Sequence, residues 1–324
     1  MASPAVAQMI SPDADQSPLA EAEFAYVQVA HLAPFATDAS VTITLNGAPA
    51  LTNFGYGDST EYLELPVGEY DIEVIPTGAD PADPPAIEAT VDLVADTYYT
   101  VLAVGDGVNQ DLALQVLVDD LTVPAAGKFH LRLGHLAPFA AGLATADVRM
   151  KDGTPVLENV DFGAVTGYIP LDAGTYDLII TTPGGGTVLI DPAPATFVEG
   201  QIISAFATGE GVNQDLGVFA LPAGEEGFFL PMIAYVQVAH LAPFAEDASV
   251  SITLNGAPAL TEFGYGDSTE YLELPWGEYD VAVIPTGATD PAIEATVDLE
   301  ADTYYTVIAI GDGDNQDLAL QVLV

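Results

Sequence analysis

The sequence predicts an all-β protein: three tandem immunoglobulin-like sandwiches of antiparallel strands. Three observations carry that expectation. Long blocks of text recur three times, short β-branched and aromatic runs alternate apolar with polar residues, and 30 Gly and 24 Pro punctuate them without a sustained helical period.

Repetition is taken first because it fixes the architecture. HLAPFA stands at 31–36, 135–140 and 240–245. AYVQVAHLAPFA recurs at 25 and 234, TLNGAPALT at 44 and 253, and FGYGDSTEYLELP at 54 and 263. The first and third copies are nearly one text. The second is a distant relative that keeps HLAPFA, DGTPVL for NGAPAL, LDAGTYDL for LPVGEYDI and GEGVNQDL for GDGVNQDL. A repeat near 100 residues is long enough to bury its own core, so each copy is expected to be a separate domain. The chain divides into an extension at 1–24, modules at 25–118, 128–222 and 234–324, and linkers at 119–127 and 223–233.

Within the first module, period-2 patterning predicts strands at 25–32, 40–45, 59–65, 69–75, 86–93, 97–104 and 112–117. Asn46-Gly47 suits a type I′ hairpin, and Pro66-Val67-Gly68 places Gly where a positive φ is needed. Alternation points Val27, Val29, Val41, Ile43, Leu45, Ile72, Val74, Val91 and Leu93 inward, with Thr42, Thr44, Glu73 and Asp92 outward. In the second module Phe129, Leu131 and Leu133 take the inward set, which leaves Lys128, His130 and Arg132 facing water. Aligning the turns puts Arg149 and Lys151 where Ile43 and Leu45 sit. A bulge or one-residue slip that returns Val148 and Met150 to the core is expected there.

The ordered set H-x-A-P-x-A, N/D-G turn, P-x-G or D-A-G turn, T-Y-Y-T-V and G-D-G resembles domain of unknown function 4397, over nearly all of 25–324. The resemblance implies exported bacterial or archaeal β-sandwich modules, often in tandem, and implies no reaction. The second copy departs from it, with QIISAFA at 201–207 in place of the T-Y-Y-T-V text.

Charge narrows the partners. Asp and Glu number 48 against 4 Lys and Arg, a net charge of -44, which sets the chain against nucleic acid and anionic lipid surfaces. Such a surface suits high salt or an extracellular setting. No apolar run reaches the ~18 residues of a membrane span. The opening MASPAVAQ has the small-residue character of the end of a secretory signal, so export to the cell surface or beyond is expected. Cysteine is absent, which leaves redox compartment open.

Candidate chemistry is sparse. With no Cys, no G-x-S-x-G, and one His per module apart from His130, nothing completes a catalytic set, and a non-enzymatic protein is expected. The recurring text around His31, His135 and His240 reads as a strand end, with Pro34 forcing the exit. The GDG segments offer oxygen donors of the kind Ca²⁺ takes: Asp106, Asn109 and Asp111 in the first copy, and Asp312, Asp314 and Asp317 in the third. The alternative is a polar loop, and no other cofactor is suggested.

Self-assembly has its own candidates. All four cations, Lys128, Arg132, Arg149 and Lys151, lie in the second module, as solvated surface or as a basic patch for an acidic module of another molecule. Phe228 and Phe229 are apolar residues in a linker and need cover, which suggests rigid joints. Val6, Met9 and Ile10 lie in the one apolar run of the extension, a candidate donor strand. The expected function is a structural subunit of an extracellular or cell-surface filament or layer that polymerises head to tail with itself. The alternative is an adhesive or glycan-binding protein using Tyr56, Tyr62, Tyr265, Tyr271 and Trp276, with Ca²⁺ assisting.

Overall fold

A computed structural model describes residues 23–36, 40–80, 83–139, 145–243 and 249–324. Val6, Met9 and Ile10 lie outside the described residues. Module 1 has eight strands: β1 (Phe24–His31), β2 (Ser40–Leu45), β3 (Ala48–Gly55), β4 (Leu63–Pro66), β5 (Gly68–Pro76), β6 (Ile87–Leu93), β7 (Tyr98–Val104) and β8 (Ala113–Val118). They form two four-stranded sheets, ordered β4-β1-β7-β8 and β3-β2-β5-β6, which enclose a core of residues such as Val41, Val74, Val101 and Leu93. Every neighbouring pair is antiparallel except β1 and β7, which run parallel from Tyr26↔Tyr98 to His31↔Ala103.

The hairpin turn follows its chemistry: Asn46 and Gly47 have φ values of 52° and 76°, the two positive angles of a type I′ turn. The strand it leads into, β3, is the one that alternation misses. Only Phe54 of β3 is buried, Pro49 sits on this sheet edge, and Asn53 at φ 53° lies within the register shift between Val41 and Ile43. A bulged edge strand has no clean period to detect.

Module 2 comprises β9 (Lys128–His135), β10 (Thr145–Met150), β11 (Pro155–Asp161), β12 (Ile169–Asp172), β13 (Gly174–Tyr176), β14 (Leu178–Thr181), β15 (Val188–Ile190), β16 (Ala195–Phe197), β17 (Ile202–Thr208) and β18 (Gly217–Pro222). A short strand from the linker, β19 (Phe228–Phe229), extends the sheet β12-β9-β17-β18 to five. The anticipated slip in β10 is a longer turn after Met150. Val148 pairs with Leu157 as Ile43 pairs with Leu51, and packs against the core, while Arg149 falls opposite Pro155 as Thr44 does opposite Pro49.

Module 3 repeats module 1 in β20 (Ile233–His240), β21 (Val250–Leu254), β22 (Ala257–Phe263), β23 (Leu272–Pro275), β24 (Gly277–Pro285), β25 (Ile293–Leu299), β26 (Tyr304–Ile310) and β27 (Ala319–Leu323), in sheets β23-β20-β26-β27 and β22-β21-β24-β25. One tyrosine recurs in all three modules as a brace. Tyr70, Tyr176 and Tyr279 each donate a hydroxyl hydrogen bond to the carbonyl four residues back, at 2.9, 2.8 and 2.7 Å. Among the described residues no helix is long and apolar enough to cross a membrane.

The modules are not independent beads joined end to end. Three sandwich interiors are present, but a further apolar cluster joins Ala30, Leu32, Leu102 and Val104 of module 1 to Leu136, Phe206, Phe219 and Leu221 of module 2. Both linkers contribute residues to the fold. Asp119 of the first is buried, and Met232 of the second packs into module 2.

Candidate interaction surface

The outer face of sheet β4-β1-β7-β8 is the site. On β1, alternation sends Val27 into the sandwich and Gln28 and Ala30 outward. On β7 it sends Val101 and Ala103 inward and Thr100, Leu102 and Val104 outward. Both faces of β7 are therefore apolar, so this strand is built to be covered twice. Module 2 supplies the second cover with its own counterpart face, carried by β9, β17 and β18.

The joint has the reciprocity of an approximate two-fold axis. Gln28 Nε2 donates to the carbonyls of Pro222 (3.1 Å) and Glu225 (2.6 Å), around the end of β18. Arg132, its counterpart on β9, reaches past the end of β8 to Asp119, with Nη1 2.7 Å from Oδ1. Asn109 Nδ2 donates to Pro138 O at 3.5 Å, and its counterpart Asn213 to Pro34 O at 3.4 Å. Arg132 also bonds both members of one counterpart pair, Thr100 Oγ1 at 3.1 Å and Ser204 Oγ at 2.8 Å, which places these two near the axis.

Arg132 therefore does not face water. It does point outward from its strand, as alternation predicts, but that outward face is the interior of a joint, and its side chain is 3% exposed. Asp119 opposite is fully buried and also accepts bonds from Tyr62 OH and Thr100 Oγ1, both at 2.7 Å. The Tyr168 ring lies 4.7 Å from the guanidinium carbon.

The other cations each have an acidic partner as well, so among the described residues they do not form a free basic patch. Arg149 pairs with Asp147 (2.7 Å) and Glu158 (3.0 Å) and is buried. Lys128 pairs with Asp172 at 2.7 Å. Lys151 stands at the joint of modules 2 and 3, 2.5 Å from Asp191 and 3.3 Å from Glu273. There Tyr235 OH donates to Asp191 at 2.7 Å. Phe229 is used internally too. Its ring stacks on Tyr56 at 5.6 Å and meets Phe219 at 5.2 Å, while Phe228 remains half exposed.

The histidines end β1, β9 and β20 beside these surfaces. His31 is 1% exposed, its Nδ1 accepts the Ala33 N–H at 3.4 Å, and its ring stacks on Phe35 at 5.6 Å. Burial pushes the imidazoles of His31 and His135 down to about 4, against the opposing pull of Asp58 and Asp161. Burial also lowers His240.

The GDG segments cap themselves. Asp106 Oδ1 accepts N–H bonds from Val108, Asn109 and Gln110 at 3.0, 2.8 and 2.9 Å, and Asp312 repeats this with Asp314, Asn315 and Gln316. Although burial works in the opposite direction, those bonds hold the Asp106 carboxyl below the usual range. Among the described residues no three carboxylates or imidazoles gather as a metal cluster, those of Asp106, Asp111, Asp312, Asp314 and Asp317 included. The loop is tight: Gly105 has φ 87°, and a Cβ there would overlap the Asp111 carbonyl oxygen. Gly105→Ala is expected to cost about 2 kcal/mol or more. A thermal melt checks this, and an unchanged midpoint would show that the loop has room.

Module 3 carries the same surface with no sheet packed over it among the described residues; module 2 touches only its Tyr235 end. Leu32 is fully buried and its counterpart Leu241 is 47% exposed. Gln28, Thr100, Leu102 and Val104 are buried, whereas Gln237, Thr306, Ile308 and Ile310 are only half-buried. Around this face stand Tyr265, Tyr271 and Tyr304, all substantially exposed.

Neither the reciprocal joint nor its open copy was identified from sequence. The available signal was the runs TVLAV, ISAFA and TVIAI, which carry no charge on either face of a strand.

No curated protein matches the sequence. Among solved structures the chain is similar to "The Bacillus anthracis TIE protein", at 13% identity and a TM-score of 0.21, over 89% of this chain. This chain covers 50% of that one, half its length. A family described as "Domain of unknown function (DUF4397)" matches residues 25–146, 140–225 and 234–324, so the chain belongs to that family and carries its module three times.

Proposed function

We propose that the chain is a non-enzymatic structural subunit, working at the cell surface or outside the cell, that associates with copies of itself into a filament or layer. The open face of module 3 carries this reading: the surface that module 1 buries against a neighbour is displayed a second time without one. The buried histidines fit it, since groups held neutral and away from solvent are poorly placed to pass protons near neutral pH. A net charge of -44 suits a protein whose copies approach only where salt screens them.

The head-to-tail route must differ from the joint between modules 1 and 2, because module 1 has already spent its sheet face. The other internal joint remains a template. Module 3 seats Tyr235, stacked on Tyr304 at 4.6 Å, against Asp191 and Lys151, and module 1 presents the same stack in Tyr26 and Tyr98. Electron microscopy of the purified chain in high salt, with and without Ca²⁺, tests the proposal. Filaments or sheets are expected, and isolated particles under every condition would overturn it.

A second reading has one favouring observation. Module 3 exposes Tyr265, Tyr271, Trp276 and Tyr304 by about half, the aromatic type that stacks on sugar rings. Binding on a glycan array that is lost on Tyr265→Ala would support an adhesive role. A silent array, with and without Ca²⁺, removes it.

A further inference from the structure

We propose that the open face of module 3 pairs with the same face of a second copy about a true two-fold axis, so that the chain dimerises through module 3. This rests on the self-association reading and names its contact.

The internal joint supplies the pattern. Two homologous sheet faces already meet in this chain about an approximate two-fold axis, each reaching past the last strand of the other. Module 2 has spent its face on module 1, and module 1 on module 2. Among the described residues module 3 holds the one uncovered face of this kind, and a surface present once per chain closes by meeting itself.

The module 3 face has the right composition. Strands β20, β26 and β27 contain no Asp, Glu, Lys or Arg, in a chain with 48 acidic residues. Its relief matches that of the buried face. Ala30 pairs across to Leu102, and Ala239 pairs across to Ile308 in the same register. Module 2 offers Gly134 against Phe206, a smaller residue beside a larger one. Where module 2 needs Arg132 and the buried Asp119, module 3 has Gln237. Its Nε2 donates to Thr269 O at 2.9 Å within module 3, and a glutamine is the residue type which in Gln28 reaches backbone carbonyls around the end of β18, so a symmetric pair requires no buried ion pair.

Thr306 is the probe. Its counterparts Thr100 and Ser204 share the guanidinium of Arg132, so two copies of Thr306 would lie close to the axis. The chain has no cysteine, so Thr306→Cys introduces a single thiol. On the full chain at ~1 M salt, where screening is within about 3 Å, oxidation or a short bis-maleimide is expected to give a covalent dimer. Light scattering of the unmodified chain is expected to show the dimer weakening as salt falls. Leu241→Asp, at a position already half exposed, is expected to weaken it by roughly 100-fold or more, with an unchanged melt to show intact folding.

Assemblies that survive Leu241→Asp unchanged, with no Thr306→Cys cross-link, overturn the face while leaving self-association standing. A monomer at every salt and protein concentration overturns both.

Discussion

Arg132→Met is expected to destabilise modules 1 and 2 together by about 3–5 kcal/mol, the usual cost of stranding one member of a buried ion pair. Asp119 has no exposed surface on its side chain, and Arg132 supplies its one cation among the described residues, at 2.7 Å. With the guanidinium gone, Tyr62 and Thr100 still donate to Oδ2, but Oδ1 is left buried with no hydrogen-bond donor among the described residues. A second change separates burial from attraction. Arg132→Met with Asp119→Leu removes both charges and is expected to recover most of the loss, because paired buried charges often contribute little beyond what apolar residues of similar volume would.

Calorimetry reads the result by module. The transition carrying modules 1 and 2 is expected to shift down as one, while that of module 3 stays in place. The shift should persist in high salt, since screening hardly reaches a pair excluded from water. A loss confined to module 2, or one abolished by salt, would show that Arg132 does not bind the two modules together.

The arginine also shows where reading the sequence stops. Alternation along Lys128–His135 assigned directions correctly: Phe129 and Leu131 enter the sandwich, and Arg132 leaves it. What period-2 reasoning cannot supply is whether the space outside a sheet holds water or another sheet. Direction is a local property of a strand; burial here depends on another module packing over it, through residues such as Thr100 and Asp119. The same limit applies to the parallel pairing of β1 with β7, which leaves no mark on either strand alone.

The fold itself was more legible, because its determinants are local. Asn46-Gly47 sets its turn through two positive φ angles, and the strands packed on one core side keep their alternation. β3 escaped for the complementary reason: at a sheet edge, with Asn53 bulged and Pro49 on the edge, little selects for a period. For the open face the signal lies in composition and not in period. An apolar run such as TVIAI in so acidic a chain implies cover on both faces of the strand, and module 3 provides cover for only one.

Mild acid is expected to loosen the molecule, and His31 and His135 set the window. Both have folded values near 4 against an unfolded value of 6.5, with burial as the main cause. Between those limits the unfolded chain binds protons that the folded one refuses, so stability is fully present above pH ~6.5 and falls as pH drops toward ~4, with no further loss from these groups below that. A depression of this size corresponds to on the order of 3 kcal/mol for each ring. His135→Phe isolates the contribution. The ring already packs on Phe139 at 5.0 Å and Phe162 at 6.3 Å, and neither of its nitrogens has a hydrogen-bond partner among the described residues. Denaturant unfolding at pH 7, 5.5 and 4.5 is expected to show a smaller fall for the variant than for the parent chain, because one of the protons that drives unfolding has been removed. Equal falls would mean that the imidazole reaches water in the folded state, and that the strand ends beside the joint open more readily than their burial implies.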